Sequence, residues 1–106
     1  MSNFVLLYAG GGMPATEAEQ KKELQDWQAW YGKLDGALID GGDPFTPMAK
    51  NIGKGGVVKD GPVGTPATGY SIVKADSLNS AVELAKGCPV LRSGGQISVY
   101  ETFKAM

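Results

Sequence analysis

Residues 4–9 of the chain read Phe-Val-Leu-Leu-Tyr-Ala and are followed directly by three glycines. The short apolar run and its glycine stop favour a β-strand over a helix. Side chains alternate between the two faces of a strand, so both faces of this one are apolar: Phe4, Leu6 and Tyr8 on one side, Val5, Leu7 and Ala9 on the other. A strand of this kind must be covered on both sides.

Two segments downstream have helical spacing. Thr16 and Glu19 form a capping box, and an apolar stripe follows it, made of Leu24, Trp27, Tyr31 and Leu34. The left-handed end of this helix is expected at Gly36, and Trp30 lies off the centre of the stripe, where we expect partial exposure. The second helix is predicted after Asp76 as N-cap, with apolar residues at i, i+3, i+4 and i+7: Leu78, Ala81, Val82 and Ala85. Gly87 and Pro89 end it.

The remaining segments read as strands. A brief strand is expected at 37–40, a hairpin at 48–52 and 57–60 around Lys54-Gly55-Gly56, and further strands at 70–75 and 96–103. The order β-α-β-(hairpin)-β-α-β predicts one α+β domain over 1–106, with two helices on one face of an antiparallel sheet. The helices leave the other face of the first strand bare. A second copy of the same sheet is the simplest cover, so we expect a homodimeric barrel.

Composition excludes several classes of function. Ten basic and eleven acidic residues give a net charge of −1, so nucleic-acid binding is not expected. With no histidine and Cys88 as the single cysteine, a zinc site and an internal disulfide are excluded, and no metal or cofactor is expected. Residues 10–12 precede a helix as phosphate loops do, but they fit no known phosphate-binding pattern. No apolar run is long enough for a membrane helix or a signal peptide, which predicts a cytoplasmic protein.

Five residues are candidates for chemistry, each with a plainer alternative. Asp60, before Gly61-Pro62, would act as a base or bind a cation at the mouth of a barrel; as a turn former it would cap its own backbone. Tyr8 and Tyr70 fall on strands expected to be neighbours and would donate to a ligand, or else fill the core or an interface. Asp40, with Asp43, would join Asp60 in a carboxylate cluster, or form a turn.

The sequence around Asp60 resembles a known family. Residues 60–63, Asp-Gly-Pro-Val, are similar to the DGPF signature of the YCII-related proteins, and 68–78, 81–89 and 94–100 resemble that family's central strand, second helix with its exit, and final strand. Residues 27–34 and 36–42 match its first helix and next strand. The resemblance implies a ferredoxin-like fold, a dimeric α+β barrel and a pocket between sheet and partner near the DGPF loop. Some members resemble small lyases or dehydrochlorinases with a catalytic His-Asp pair, whose histidine has no counterpart here.

Three functions remain open from the sequence. The first is a homodimeric module that holds a small molecule in a pocket between sheet and partner, with Tyr8, Asp40 and Tyr70 lining it. The second is a cofactor-independent lyase or isomerase with Asp60 as base and Tyr8 or Tyr70 as acid. The third is a protein–protein interaction module with Trp30 as an exposed anchor. Whether the chain is an enzyme, and of what substrate, is undecided at this point.

Overall fold

The computed structural model of the protein describes residues 1–11 and 16–105. The elements in chain order are β1 (Ser2–Ala9), α1 (Glu17–Leu34), β2 (Leu38–Asp40), β3 (Lys50–Ile52), β4 (Val58–Asp60), β5 (Ala67–Ala75), α2 (Leu78–Ala85) and β6 (Gln96–Glu101). The predicted hairpin is confirmed, because β3 and β4 pair antiparallel with Lys50 opposite Asp60. Strand β3 begins two residues later than expected, and β6 ends two residues earlier.

Four strands form the main sheet in the order β2-β5-β1-β6, and every neighbouring pair is antiparallel. With β3 and β4 set apart as a separate hairpin, this is the split β-α-β order of a ferredoxin-like α+β fold. The predicted fold class is therefore confirmed. No helix in the described ranges, 1–11 and 16–105, has the length and apolar character needed to cross a membrane.

Both helices pack on the same face of the sheet. Phe4, Leu6 and Tyr8 of β1 are buried in one core, which also contains the buried residues of both helices: Trp30, Leu34, Ala81 and Ala85. We call the opposite side of the sheet the outer face. There Val5 lies across from Ile72 and Tyr100, and Leu7 lies across from Tyr70 and Ser98. Val5, Leu7 and Ile72 are only half-buried, and Tyr100 is exposed, so the helices leave this face uncovered.

Helix α1 begins as predicted, with the Thr16 hydroxyl accepting from the Glu19 amide at 3.2 Å. Its end differs from the prediction: Asp35, not Gly36, has the positive φ, 47°, and the Asp35 amide bonds to the carbonyl of Tyr31. The buried side of α1 also differs. Trp30 is only 3% exposed and Leu24 is 60% exposed, so the prediction of a partly exposed Trp30 is wrong. The indole N–H of Trp30 donates to the carbonyl of Leu84 at 3.0 Å, which turns this residue toward α2.

Helix α2 is capped by Ser77 rather than by the predicted Asp76. The Ser77 hydroxyl accepts from the Ser80 amide at 3.1 Å, and Ser77 has the extended backbone that an N-cap needs. Beyond the helix, the Cys88 amide bonds to the carbonyl of Ala85 at 3.0 Å, and Pro89 opens a short 3-10 turn. The chain leaves α2 close to the predicted exit at Gly87 and Pro89.

Candidate functional site

A cleft of about 550 Å³ opens on the helix side of the sheet. One wall is α1, through Leu24, Trp27 and Tyr31, and the facing wall is the loop 41–45 that follows β2. The end of β1 with Gly10 and Gly11, the start of β5 and the segment 90–93 complete the border. We call this space the aromatic cleft, because rings of Tyr8, Trp27 and Tyr31 meet along it.

The aromatic wall follows from the spacing of residues on α1. Trp27 and Tyr31 are one turn apart, with ring centroids at 5.9 Å, and the ring of Tyr8 meets Trp27 edge to face at 5.5 Å. Such edge-to-face pairs suit the charge distribution of aromatic rings and hold them in defined orientations. The wall is therefore preformed.

Two glycines let the facing loop approach the sheet and α1. A Cβ on Gly41 would come within 3.3 Å of the Tyr31 ring. Gly42 has a φ of +71°, and a Cβ on it would collide with the carbonyl group of Tyr70. Only glycine adopts this conformation without strain and leaves that space open. The Gly41-Gly42 pair therefore sets the distance between the two walls of the cleft.

A chain of hydroxyl groups lies at the sheet side of the cleft. The Tyr8 hydroxyl donates to Ser71 Oγ at 2.7 Å, and Ser71 Oγ donates to the carbonyl of Gly41 at 2.8 Å. The Tyr31 hydroxyl donates to the same carbonyl at 3.2 Å. Ser71 is fully buried and Tyr8 is 5% exposed. All buried side-chain polar atoms in the part of the chain that the structure describes have hydrogen-bond partners.

The two phenols of this network are held in their neutral form. Burial raises the pKa of Tyr8 far above its ordinary value, and the hydrogen bond with Ser71 offsets only part of that rise. Burial also raises the pKa of Tyr31, with smaller contributions from the negative charges of Asp40 and Asp43. Because burial disfavours the charged phenolate, neither tyrosine serves as a base near neutral pH. Both act as neutral hydrogen-bonding groups.

Tyr70 lies on a strand next to Tyr8, as predicted, but on the other face. Tyr8 is opposite Gly69 and Tyr70 is opposite Leu7, so the alternation along β5 turns Tyr70 outward. Its ring stacks on Phe45 with centroids 5.9 Å apart, and it borders the rim of the cleft. The negative charge of Asp40 raises the pKa of Tyr70.

The three candidate aspartates lie in different settings. Asp40 Oδ1 accepts from the Gly42 amide at 2.8 Å, as expected from the alternative interpretation of Asp40 as a turn residue. Asp43 borders the cleft. Asp60 lies on the hairpin, with its side chain 91% exposed and 2.9 Å from Lys50 Nζ, and it does not border the cleft. No group of three potential metal ligands occurs within residues 1–11 and 16–105.

Cys88 and the glycine-rich segment complete the set of candidates. Cys88 is buried, and burial raises the pKa of its thiol, which fits an unreactive core position. Of the three glycines, Gly10 and Gly11 border the cleft, and Gly12 lies outside the described residues.

Several residues of the cleft and of the hydroxyl network beside it were missed from the sequence. Trp27 and Tyr31 were interpreted only as a core stripe, and Ser71 was not singled out. The signal for Ser71 was its position: it falls on the buried side of β5 between Gly69 and Val73, where a hydroxyl needs partners. The signal for α1 was the three aromatic residues within five positions, 27–31.

The chain matches no protein-family model. It also matches no curated protein. Among solved structures it is similar to 5-chloro-2-hydroxyhydroquinone dehydrochlorinase from Burkholderia phenoliruptrix AC1100, in complex with 2,5-dihydroxybenzoquinone. The TM-score is 0.53 at 16% sequence identity, and the alignment covers 95% of this chain and 93% of the other. The two proteins share a fold over nearly their whole length.

Proposed function

We propose that the protein is a cytoplasmic, YCII-related homodimer that binds a small, ring-containing and largely apolar molecule in the aromatic cleft. The observation that carries this proposal is the cleft itself. Its volume of about 550 Å³ falls within the range of small-molecule sites. Apolar and aromatic walls with a few convergent hydroxyls are the usual composition of such sites.

Two observations support a ligand about the size of a single ring. Trp27, Tyr31 and Tyr8 present ring surfaces against which a flat molecule can pack. The dehydrochlorinase with the same fold binds 2,5-dihydroxybenzoquinone, a molecule of one six-membered ring. A single ring with short substituents therefore suits the cleft.

Ligand-observed NMR with 2-phenylethanol as probe tests binding at this position. Leu24 forms part of the wall and is 60% exposed, so Leu24→Ala removes ligand contact with little effect on folding. We expect this variant to bind the probe several-fold more weakly, since a lost apolar contact costs about 1 kcal/mol. Leu78→Ala on α2, an exposed leucine away from the cleft, is the matched control and should bind as the wild type does. Equal loss in both variants would place the probe elsewhere.

The proposed dimer rests on the outer face. Val5, Leu7 and Ile72 form a half-exposed apolar patch at the centre of the sheet, and Tyr100 extends it. A sheet with one face under helices and an apolar second face gains stability when a second sheet covers it. A second copy of this chain presents the same surface and would close the two sheets into a barrel.

Mass measurement by light scattering tests the dimer. Val5→Arg puts a charge in the centre of the outer face and should give a monomer, because burying an unpaired charge is unfavourable. Gln25→Arg, on the exposed side of α1, adds the same charge and should stay dimeric. A wild-type mass of one chain at micromolar concentration would refute the barrel.

Lyase or isomerase chemistry with Asp60 as base ranks below binding. Within one protomer Asp60 is outside the cleft and paired with Lys50. Of the three tyrosines that border the cleft, Tyr8 and Tyr31 already donate their protons to Ser71 and to the Gly41 carbonyl, and Tyr70 stacks on Phe45 at the rim. The interaction module with Trp30 as anchor is withdrawn, because Trp30 is buried.

A further inference from the structure

The hydroxyl groups of the network at the sheet side of the aromatic cleft donate their protons to other groups of the protein. The proton of Tyr8 goes to Ser71, that of Ser71 goes to the Gly41 carbonyl, and that of Tyr31 goes to the same carbonyl. A phenol whose proton is used can still accept through its oxygen lone pairs. Ser71 is fully buried, so toward a ligand only Tyr8 and Tyr31, which line the cleft, present acceptors rather than donors.

The charged side chains among the described residues that border the cleft are all acidic. Asp43 and Glu23 lie on its border, and no lysine or arginine does among the described lining residues. Residues 12–15, outside the described part, contain no basic side chain. Arg92, next in the chain to the lining residue Ser93, has its Nη1 atom 3.9 Å from Oδ2 of Asp26. The carboxylates of Asp40 and Asp43 act on the cleft, since both contribute to raising the pKa of Tyr31.

The aromatic walls add to the same preference. Ring faces carry partial negative charge, and Trp and Tyr attract an ammonium group placed within about 6 Å of the ring centroid. Trp27 borders the cleft with Tyr31 and Tyr8 beside it. Carboxylates, hydroxyl acceptors and ring faces all favour a positively charged donor over an anion.

We propose that the natural ligand of the aromatic cleft is an amine, with a protonated nitrogen on a ring-sized apolar body. The inference rests on the proposed binding function and adds the charge of the ligand to it. The ammonium group would lie toward Asp43, and the ring would lie against Trp27. An anionic ligand of the same shape would meet the negative charges of Glu23 and Asp43, and no lysine or arginine among the described lining residues offsets them.

Three probes of similar shape separate this inference from the proposed function: 2-phenylethylamine, 2-phenylethanol and phenylacetate, at neutral pH and physiological salt. We expect the amine to bind about tenfold more tightly than the alcohol, and the carboxylate to bind most weakly. In a Glu23→Gln/Asp43→Asn double variant the amine should lose that advantage over the alcohol, measured as the ratio of the two dissociation constants. Glu83→Gln, on α2 and away from the cleft, removes a charge elsewhere and should keep the wild-type order.

The outcomes are distinct. If phenylacetate binds as tightly as the amine, or if the double variant keeps the full preference for the amine, the charge assignment is overturned and binding in the cleft stands. If none of the three probes binds, the proposed function fails, and this inference fails with it. If the wild type binds the three probes in the expected order and the double variant loses the preference for the amine, the result supports both the proposed function and the charge assignment.

Discussion

Replacing Tyr8 by phenylalanine tests the hydroxyl chain that forms the polar side of the cleft. The substitution keeps the ring that packs edge to face on Trp27 and removes one oxygen, together with its 2.7 Å hydrogen bond to Ser71. Ser71 keeps its own bond to the Gly41 carbonyl at 2.8 Å. Because Ser71 is fully buried, water does not replace the lost donor. We expect the free energy of unfolding to fall by about 1–1.5 kcal/mol, a typical net value for one buried hydrogen bond.

The same variant changes the response to alkaline pH. Tyr8 is neutral when protonated, and burial raises its pKa in the folded protein above the value of about 10 of an unfolded chain. Below pH 10 both states keep the proton, and the folded state has its full stability. Above pH 10 the unfolded chain loses this proton while the folded protein keeps it. Stability should then fall by about 1.4 kcal/mol per pH unit from this residue alone. Tyr8→Phe removes that part of the slope.

Urea denaturation followed by tryptophan fluorescence at pH 7, 10 and 11 measures both effects. At pH 7 the variant should be less stable than the wild type, and the difference should shrink or reverse between pH 10 and pH 11. Tyr100→Phe is the matched control at pH 7, because Tyr100 is 57% exposed on the outer face. The reasoning is refuted if Tyr8→Phe shows the same alkaline loss of stability as the wild type.

Two further variants test other parts of the structure. Gly42→Ala should destabilise the protein by about 2 kcal/mol or more, since the positive φ and the collision with the Tyr70 carbonyl act together. Gly55→Ala is the control, because Gly55 has a similar φ but open space around it, and it should cost about 1 kcal/mol. Equal losses of stability for the two variants in thermal melts would contradict the close approach of the loop. Asp60→Asn should leave the binding of 2-phenylethanol unchanged and the free energy of unfolding within about 1 kcal/mol of the wild type, because it breaks only an exposed ion pair. Loss of probe binding in NMR would show that Asp60 belongs to the site.

The fold could be predicted from local patterns because those patterns agree with one another. The apolar strand β1, the capping box at Thr16 and the glycines between Lys54 and Val57 each specify an element from a few neighbouring residues. The order of these elements then admits few topologies. The uncovered outer face also followed from β1 alone, since alternation with both sets apolar requires cover that two helices supply on one side only.

The orientation of α1 could not be predicted in the same way. Periodicity placed Leu24 in the stripe and Trp30 beside it, whereas Trp30 is buried and Leu24 is exposed. The indole N–H of Trp30 reaches the carbonyl of Leu84, 54 positions away in the chain. A hydrogen bond between two helices shifts which residues face the core, and no local spacing contains that information. The cleft depends on this shift, because it leaves Leu24 and Trp27 to line the space.

The position of Asp60 shows how strand register limits a prediction made from a motif. The Asp-Gly-Pro sequence marks Asp60 as a candidate base because of its likeness to a signature, yet the hairpin decides where its side chain lies. A turn centred on Gly55 pairs Ile52 with Val58 and Lys50 with Asp60. Opposite charges at such cross-strand positions attract, and the observed distance of 2.9 Å shows that they meet. The ion pair could thus have been predicted from the hairpin. The cleft arises instead from approach of Gly41 and Gly42 to distant Tyr70 and Tyr31, which only the folded chain specifies.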